Sequence, residues 1–204
     1  MFANLIDWYF NLLEIPEFWY GVIIWTLLIT PFEMLIHELG HYYFQRKYGI
    51  KIRFFRIGMG KLIRWKTKNG LRVFLGVPLF TAESRSLGEG KDWDRKKYKP
   101  TSFSYIHRHP ADRLIIAVAG PLASTWIFTA IYAVWYLIAT MVGSEVPLWT
   151  KTIFWLVYAT EMMNLCVPIW FSKDYKTDSW IALASLWQWL RWKQCNNKPK
   201  TPRN

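Results

Sequence analysis

The chain has 204 residues, 52% of them hydrophobic and 19% aromatic, with 14 Trp and a net charge of +12. It is one domain's length, but it carries more apolar and aromatic side chains than a soluble domain of that size, and so excludes one. Its two cysteines, Cys166 inside an apolar run and Cys195 in a basic tail, are poorly placed to pair, which excludes a disulfide framework. The mean hydropathy of +0.04 hides the membrane character because it averages very apolar runs with a very basic loop.

Residues 1–17 mix Trp, Tyr and Phe with few acids and end at Pro16, which predicts a short helix lying at the outer membrane interface. Asp7, Glu14 and Glu17, with no basic start, do not suit a cleavable signal peptide, so the first apolar run is expected to stay as an anchor. That run, 18–44, is the first of three stretches long enough for the ~20 apolar residues a spanning helix needs; the others are 114–142 and 147–171. Pro31 is expected to kink the first span just before Glu33.

The first span ends in His37-Glu38-Leu39-Gly40-His41. Residues four apart share a helix face, so His37 and His41 can aim their ring nitrogens at one zinc ion. Glu38 then lies beside the position an open zinc site keeps for water, where a carboxylate can take that water's proton. A chance string on a soluble helix would be two solvated histidines and a surface acid. In almost charge-free sequence, ionisable groups are costly and point to function. Glu33, four residues before His37, is placed to accept the other ring N–H of His37 or to be satisfied by a neighbouring helix.

No Lys or Arg precedes Arg46, whereas 18 lie between Arg46 and Arg113, one is Lys151, and seven run from Lys173 to Arg203. The positive-inside rule therefore puts loop 46–113 and the tail in the cytoplasm and the N-terminus outside. His41 then lies about 7 Å and His37 about 13 Å from the inner boundary. A basic loop beside membrane spans meets anionic lipids, and no nucleic-acid partner is expected.

Within that loop, 51–57, 61–67 and 71–77 have strand-like content punctuated by Gly58-Met59-Gly60 and Asn69-Gly70. They predict a small membrane-associated sheet that either hugs the lipid surface or offers an edge to an extended peptide. Residues 83–112 read as an exposed basic linker, with His107 and His109 as solvated loop histidines rather than a second metal site. Ala119-Gly120-Pro121-Leu122-Ala123-Ser124 opens the second span with small residues that admit a close helix neighbour, the metal-bearing helix being a good fit.

The third span carries Glu161 and ends at Asn164-Leu165-Cys166-Val167-Pro168. A catalytic zinc needs a third protein ligand, for which Asp178, Asp174 and Glu161 are candidates. A helix running straight on past Pro168 would carry Asp178 about 15 Å into the cytoplasm, so the proline must break it and the chain must fold back. Asn164, facing inward at the break, is suited to hydrogen-bond the local backbone or a substrate carbonyl. Residues 179–192 suit an aromatic amphipathic helix on the inner leaflet, and 193–204 a disordered tail.

Taken in order, these motifs resemble the site-2 protease family of intramembrane zinc metalloproteases, over about residues 20–185. His37-Glu38-Leu39-Gly40-His41 matches the family's zinc motif, Arg56-Ile57-Gly58-Met59-Gly60 its glycine-containing strand, and 119–124 its small-residue motif, with Ser124 where Asn is common. Asn164, Pro168 and Thr177-Asp178 resemble the third helix's Asn, Pro and Asp-Gly, although Ser179 replaces the glycine, the spacings are stretched, and Val77-Pro78-Leu79-Phe80 lacks a glycine pair. The resemblance implies His37, His41 and Asp178 as zinc ligands, Glu38 as general base and one Zn2+ per chain. It implies an α-helical integral membrane protein with three transmembrane helices, a minimal core over 18–192, and a membrane-protein substrate. A homo-oligomer is compatible with the sequence. Two other readings are a catalytically silent zinc-binding membrane protein that holds a partner helix, against which the intact Glu38 argues, and a basic membrane adaptor without metal.

Overall fold

A computed structural model describes residues 11–77, 79, 81–86, 103–105, 108–168 and 177–196. Most of the stretch expected as an outer interfacial helix, with Pro78, Phe80, Asp174, His107 and the end of the tail, lies outside the described residues. The elements are helix α1 (Pro16–Lys47), strands β1 (Ile52–Ile57), β2 (Ile63–Lys66), β3 (Arg72–Leu75) and β4 (Ala82–Ser86), and helices α2 (Pro110–Val142), α3 (Leu148–Cys166) and α4 (Asp178–Asn196).

Among the described residues two helices, α1 and α2, are long and apolar enough to cross a membrane. The third expected span is helical over Leu148–Cys166 only, 19 residues. Ahead of Pro31 the helix α1 is widened. Trp25–Ile29 form a π-helical turn, and the Thr30 N–H reaches back five residues to the Trp25 carbonyl. Proline cannot donate and its ring crowds the preceding turn, so one wider turn absorbs the lost bond.

The helices are apolar outside and polar inside. On α1, Thr30, Glu33, His37, His41 and Gln45 are all buried, while Leu28, Phe32 and Tyr43 are each at least 60% exposed. A soluble protein shows the reverse; lipid is the surrounding that suits such an outward face. Between the helices, Phe128, Phe154 and Val157 form an apolar core with Trp25, Ile29 and Ile36 packed against it. A second core toward the sheet holds Ile50, Tyr105 and Ile116.

Close approach of α1 to α2 depends on Gly40, where a side chain would run into the Ala119 carbonyl and the Ala123 methyl. The small residues at 119–124 thus do meet the metal-motif helix. They lie about three turns inside α2, which begins at Pro110 with His109 as its cap, its Nδ1 accepting the Ala111 N–H at 3.2 Å.

The sheet has the order β2-β3-β1-β4. β2 and β3 form an antiparallel hairpin across the Asn69-Gly70 turn, with Gly70 at φ +79°, a backbone conformation that favours glycine. β1 pairs parallel with β3 and antiparallel with β4. The first residues of the expected linker are strand: 82–86 are ladder-paired to β1, and β4 is an edge strand among the described residues, lying against α1. Phe55 of β1 meets Tyr42 of α1 edge to face at 6.1 Å. At the other end, α4 runs to Asn196, four residues into the stretch read as tail.

Candidate metal centre

One turn of α1 sets His37 above His41, with 5% and 7% of their surfaces exposed. Their Nε2 atoms are 3.1 Å apart. Asp178, first residue of α4, places Oδ2 at 2.9 Å from His37 Nε2 and 3.3 Å from His41 Nε2. Three ligand atoms, from residues up to 141 positions apart in the chain, thus face one point and form the group able to hold a metal ion among the described residues.

The far nitrogen of each ring decides what the near one can do. His37 Nδ1 lies 2.9 and 3.2 Å from the two carboxylate oxygens of Glu161, and His41 Nδ1 lies 2.7 Å from the Ile116 carbonyl oxygen. Those acceptors require Nδ1 to carry a proton, so in each neutral ring it is Nε2 that offers a lone pair toward Asp178 and a metal ion. Two lone pairs and a carboxylate oxygen converging at such separations repel one another unless a cation lies between them. Donor atoms around a tetrahedral zinc sit about 3.3 Å apart. The residues present therefore fit the ion.

Room for the rings comes from Gly120 of α2, where an added Cβ would overlap His41 Nε2 and Cε1 and lie 2.8 Å from His37 Cδ2. Asp178 is brought back by the end of α3. Val167 is extended (φ −101°, ψ 101°), as a residue before proline prefers to be, and its carbonyl has no helical donor to meet. Ser179 Oγ donates to it at 2.7 Å and Thr177 Oγ1 at 3.1 Å. The two residues flanking Asp178 thus pin the start of α4 to the end of α3. Ser179, the departure from the family glycine, is 2% exposed and supplies the shorter of these bonds.

Glu38 is half-buried beside the pair. Its Oε2 accepts the main-chain N–H of Ser84 in β4 at 2.7 Å. Asn164 is half-buried in the last turn of α3, and it is not among the contacts recorded for the His37–His41–Asp178 group. Glu161 lies behind His37 rather than among the converging donors. Of the two readings open for Glu33, the bond to His37 is absent and the contact with a neighbouring helix is present. Glu33 accepts instead from Trp25 Nε1 at 3.0 Å and from Thr160 Oγ1, because the His37 ring turns its Nδ1 to α3 and not to the preceding turn of its own helix. His109 caps α2 and packs edge to face on Trp192.

Sequence reasoning did not find Ser84, Ile116 or Gly120 as parts of the site. Gly120 carried a signal in its small-residue cluster. Ser84 carried none, since Ala-Glu-Ser-Arg-Ser reads as loop.

The sequence model of Peptidase family M50 matches residues 25–196, more than half of the chain. The chain is 31% identical over 125 residues, 53% of its length, to Metalloprotease MmpA of Caulobacter vibrioides. It is 37% identical over 106 residues, 50% of its length, to a Thermotoga maritima protein whose name carries the words zinc metalloprotease. These matches cover 31% and 20% of the two relatives, so the chain spans a third or less of their length. The chain belongs to peptidase family M50, the site-2 protease family of zinc metalloproteases that its motifs resemble.

Proposed function

We propose that the protein is an intramembrane zinc metalloendopeptidase that cleaves membrane-protein substrates near the cytoplasmic face. The observation that carries this reading is the convergence of His37 Nε2, His41 Nε2 and Asp178 Oδ2 within 3.3 Å of one another, with the Glu38 carboxylate alongside. A zinc ion bound by these three residues supplies Lewis acidity toward a water and a peptide carbonyl. Glu38 takes the proton of the water as its oxygen bonds to the carbonyl carbon, then passes that proton to the departing amide nitrogen as the C–N bond breaks. Glu161 and the Ile116 carbonyl hold the two imidazoles in the tautomer that keeps Nε2 free. Asn164 is proposed to meet the substrate carbonyl or the unwound chain at the end of α3. A helical substrate must unwind first, because its carbonyls are already hydrogen-bonded along the helix.

In this reading α3 is the third span. Its 19 residues extend about 28 Å, and its one deep charge, Glu161, is turned inward to His37. Lys and Arg in the 46–113 loop and the tail place those segments in the cytoplasm, against anionic lipids, with the N-terminus outside.

The test uses the full chain purified in detergent. Zinc is expected at about one per chain, with cleavage of a single-span model substrate. Glu38→Gln is expected to keep the zinc and lose cleavage by about 100-fold or more. Zinc retained by a parent that cleaves no substrate offered would support the silent zinc protein instead, and a parent without zinc would sink both.

A further inference from the structure

The bond between Glu38 and Ser84 joins the metal-motif helix to an edge strand 46 residues away. β4 ladders to β1 on one side, with Ser84 opposite Phe55, and among the described residues is the last strand of the sheet on the other. The Ser84 N–H points to that free side and is spent on the carboxylate, not on the ladder. Ser84 Oγ is buried with no partner among the described residues, so the serine meets Glu38 through its main chain alone.

Resting on the protease reading, we propose that the Ser84 main-chain N–H is a positioning group for the general base. A glutamate has three side-chain torsions and, one residue along from His37, several directions open to it. Fixing Oε2 on the amide of a residue whose strand is held by the ladder leaves Oε1 as the oxygen that takes the proton, and restricts where it can sit. A positioned base serves only the reacting geometry, so losing the tether lowers kcat and leaves substrate binding nearly untouched. It also gives the sheet a role beyond lying at the membrane: β4 sets the base.

Two measurements test this. The first does not involve catalysis. Amide hydrogen exchange at Ser84 is expected to be faster in Glu38→Ala than in the parent by about tenfold or more, because that amide loses its acceptor, the Glu38 carboxylate. The second is kinetic. Ser84→Pro removes one N–H at an edge position where the ladder does not need it, a place that tolerates proline. Its kcat is expected to fall about 10- to 100-fold, with KM and zinc content near the parent's. Ser84→Ala, which keeps the N–H, is expected to lose less kcat than Ser84→Pro. Equal Ser84 exchange in parent and Glu38→Ala overturns the proposal, also where Ser84→Pro does not fold. Parent-like kcat in a folded, zinc-loaded Ser84→Pro overturns it as well. Failure of the underlying protease reading shows separately, as a parent chain that does not cleave.

Discussion

His37 Nδ1 lies 2.9 Å from Glu161 Oε2, a bond between two side chains 124 residues apart that are both all but inaccessible to solvent. It connects the metal-motif helix to α3 and fixes which nitrogen of His37 faces inward. A carboxylate behind a ligating histidine raises its basicity and holds its ring, so Glu161→Leu is expected to weaken zinc binding about 10- to 100-fold. Glu161→Gln retains an accepting oxygen and should lose less. Competition with a chromophoric chelator reads both values, and equal affinity in parent and Glu161→Leu would remove Glu161 from the metal centre.

Gly120 makes a sharper demand. Its missing side chain is the space that the two rings occupy, and an added methyl would overlap the His41 ring. Gly120→Ala must therefore push α2 away or turn His41 off its acceptor, the Ile116 carbonyl. Zinc per chain is expected to drop from near one toward zero while helical circular dichroism stays at the parent level. A zinc-replete Gly120→Ala would mean that the rings have slack that their contacts do not show.

These two residues also mark what could be read in the sequence. The four-residue spacing of His37 and His41, the inward polar stripe and the need for the chain to fold back at Pro168 all follow from helix geometry and from proline's missing N–H, so they are legible locally. Glu33 was not: it shares the histidine stripe, but ring orientation is set by α3, and the acceptor of His37 comes from a distant helix. β4 is illegible for a related reason. Ala82–Ser86 has little strand propensity of its own and is held extended by the ladder of β1, a non-local partner.

The fold-back rests on Val167, whose carbonyl accepts both Ser179 Oγ and Thr177 Oγ1. Removing both donors orphans that carbonyl and loosens the residue between them, Asp178. The double variant Thr177→Val/Ser179→Ala is expected to lose about tenfold in zinc affinity, and Asp178→Asn considerably more. Asp174→Asn should match the parent. Titration of the apo variants with zinc ranks the four proteins, and a larger loss in Asp174→Asn than in Asp178→Asn would reassign the third ligand.

Glu33 poses a different problem, because a fully buried carboxylate among apolar helices survives only if its oxygens are satisfied. Trp25 Nε1 and Thr160 Oγ1 donate to them, and Trp25 opens the π-helical turn that Pro31 induces. The wide turn and the buried acid are thus coupled: the tryptophan that satisfies Glu33 sits where the helix is widened. Trp25→Phe keeps the ring but removes the donor, and is expected to cost about 1–3 kcal/mol of stability, read as a lower thermal midpoint in detergent at saturating zinc. Glu33→Gln, which keeps an acceptor and no longer buries a charge, should cost less or nothing. Neither change touches a converging donor atom, so zinc affinity should stay within about threefold of the parent in both. A Trp25→Phe protein with normal stability but lost zinc would instead make the Trp25–Glu33–Thr160 cluster part of the metal centre.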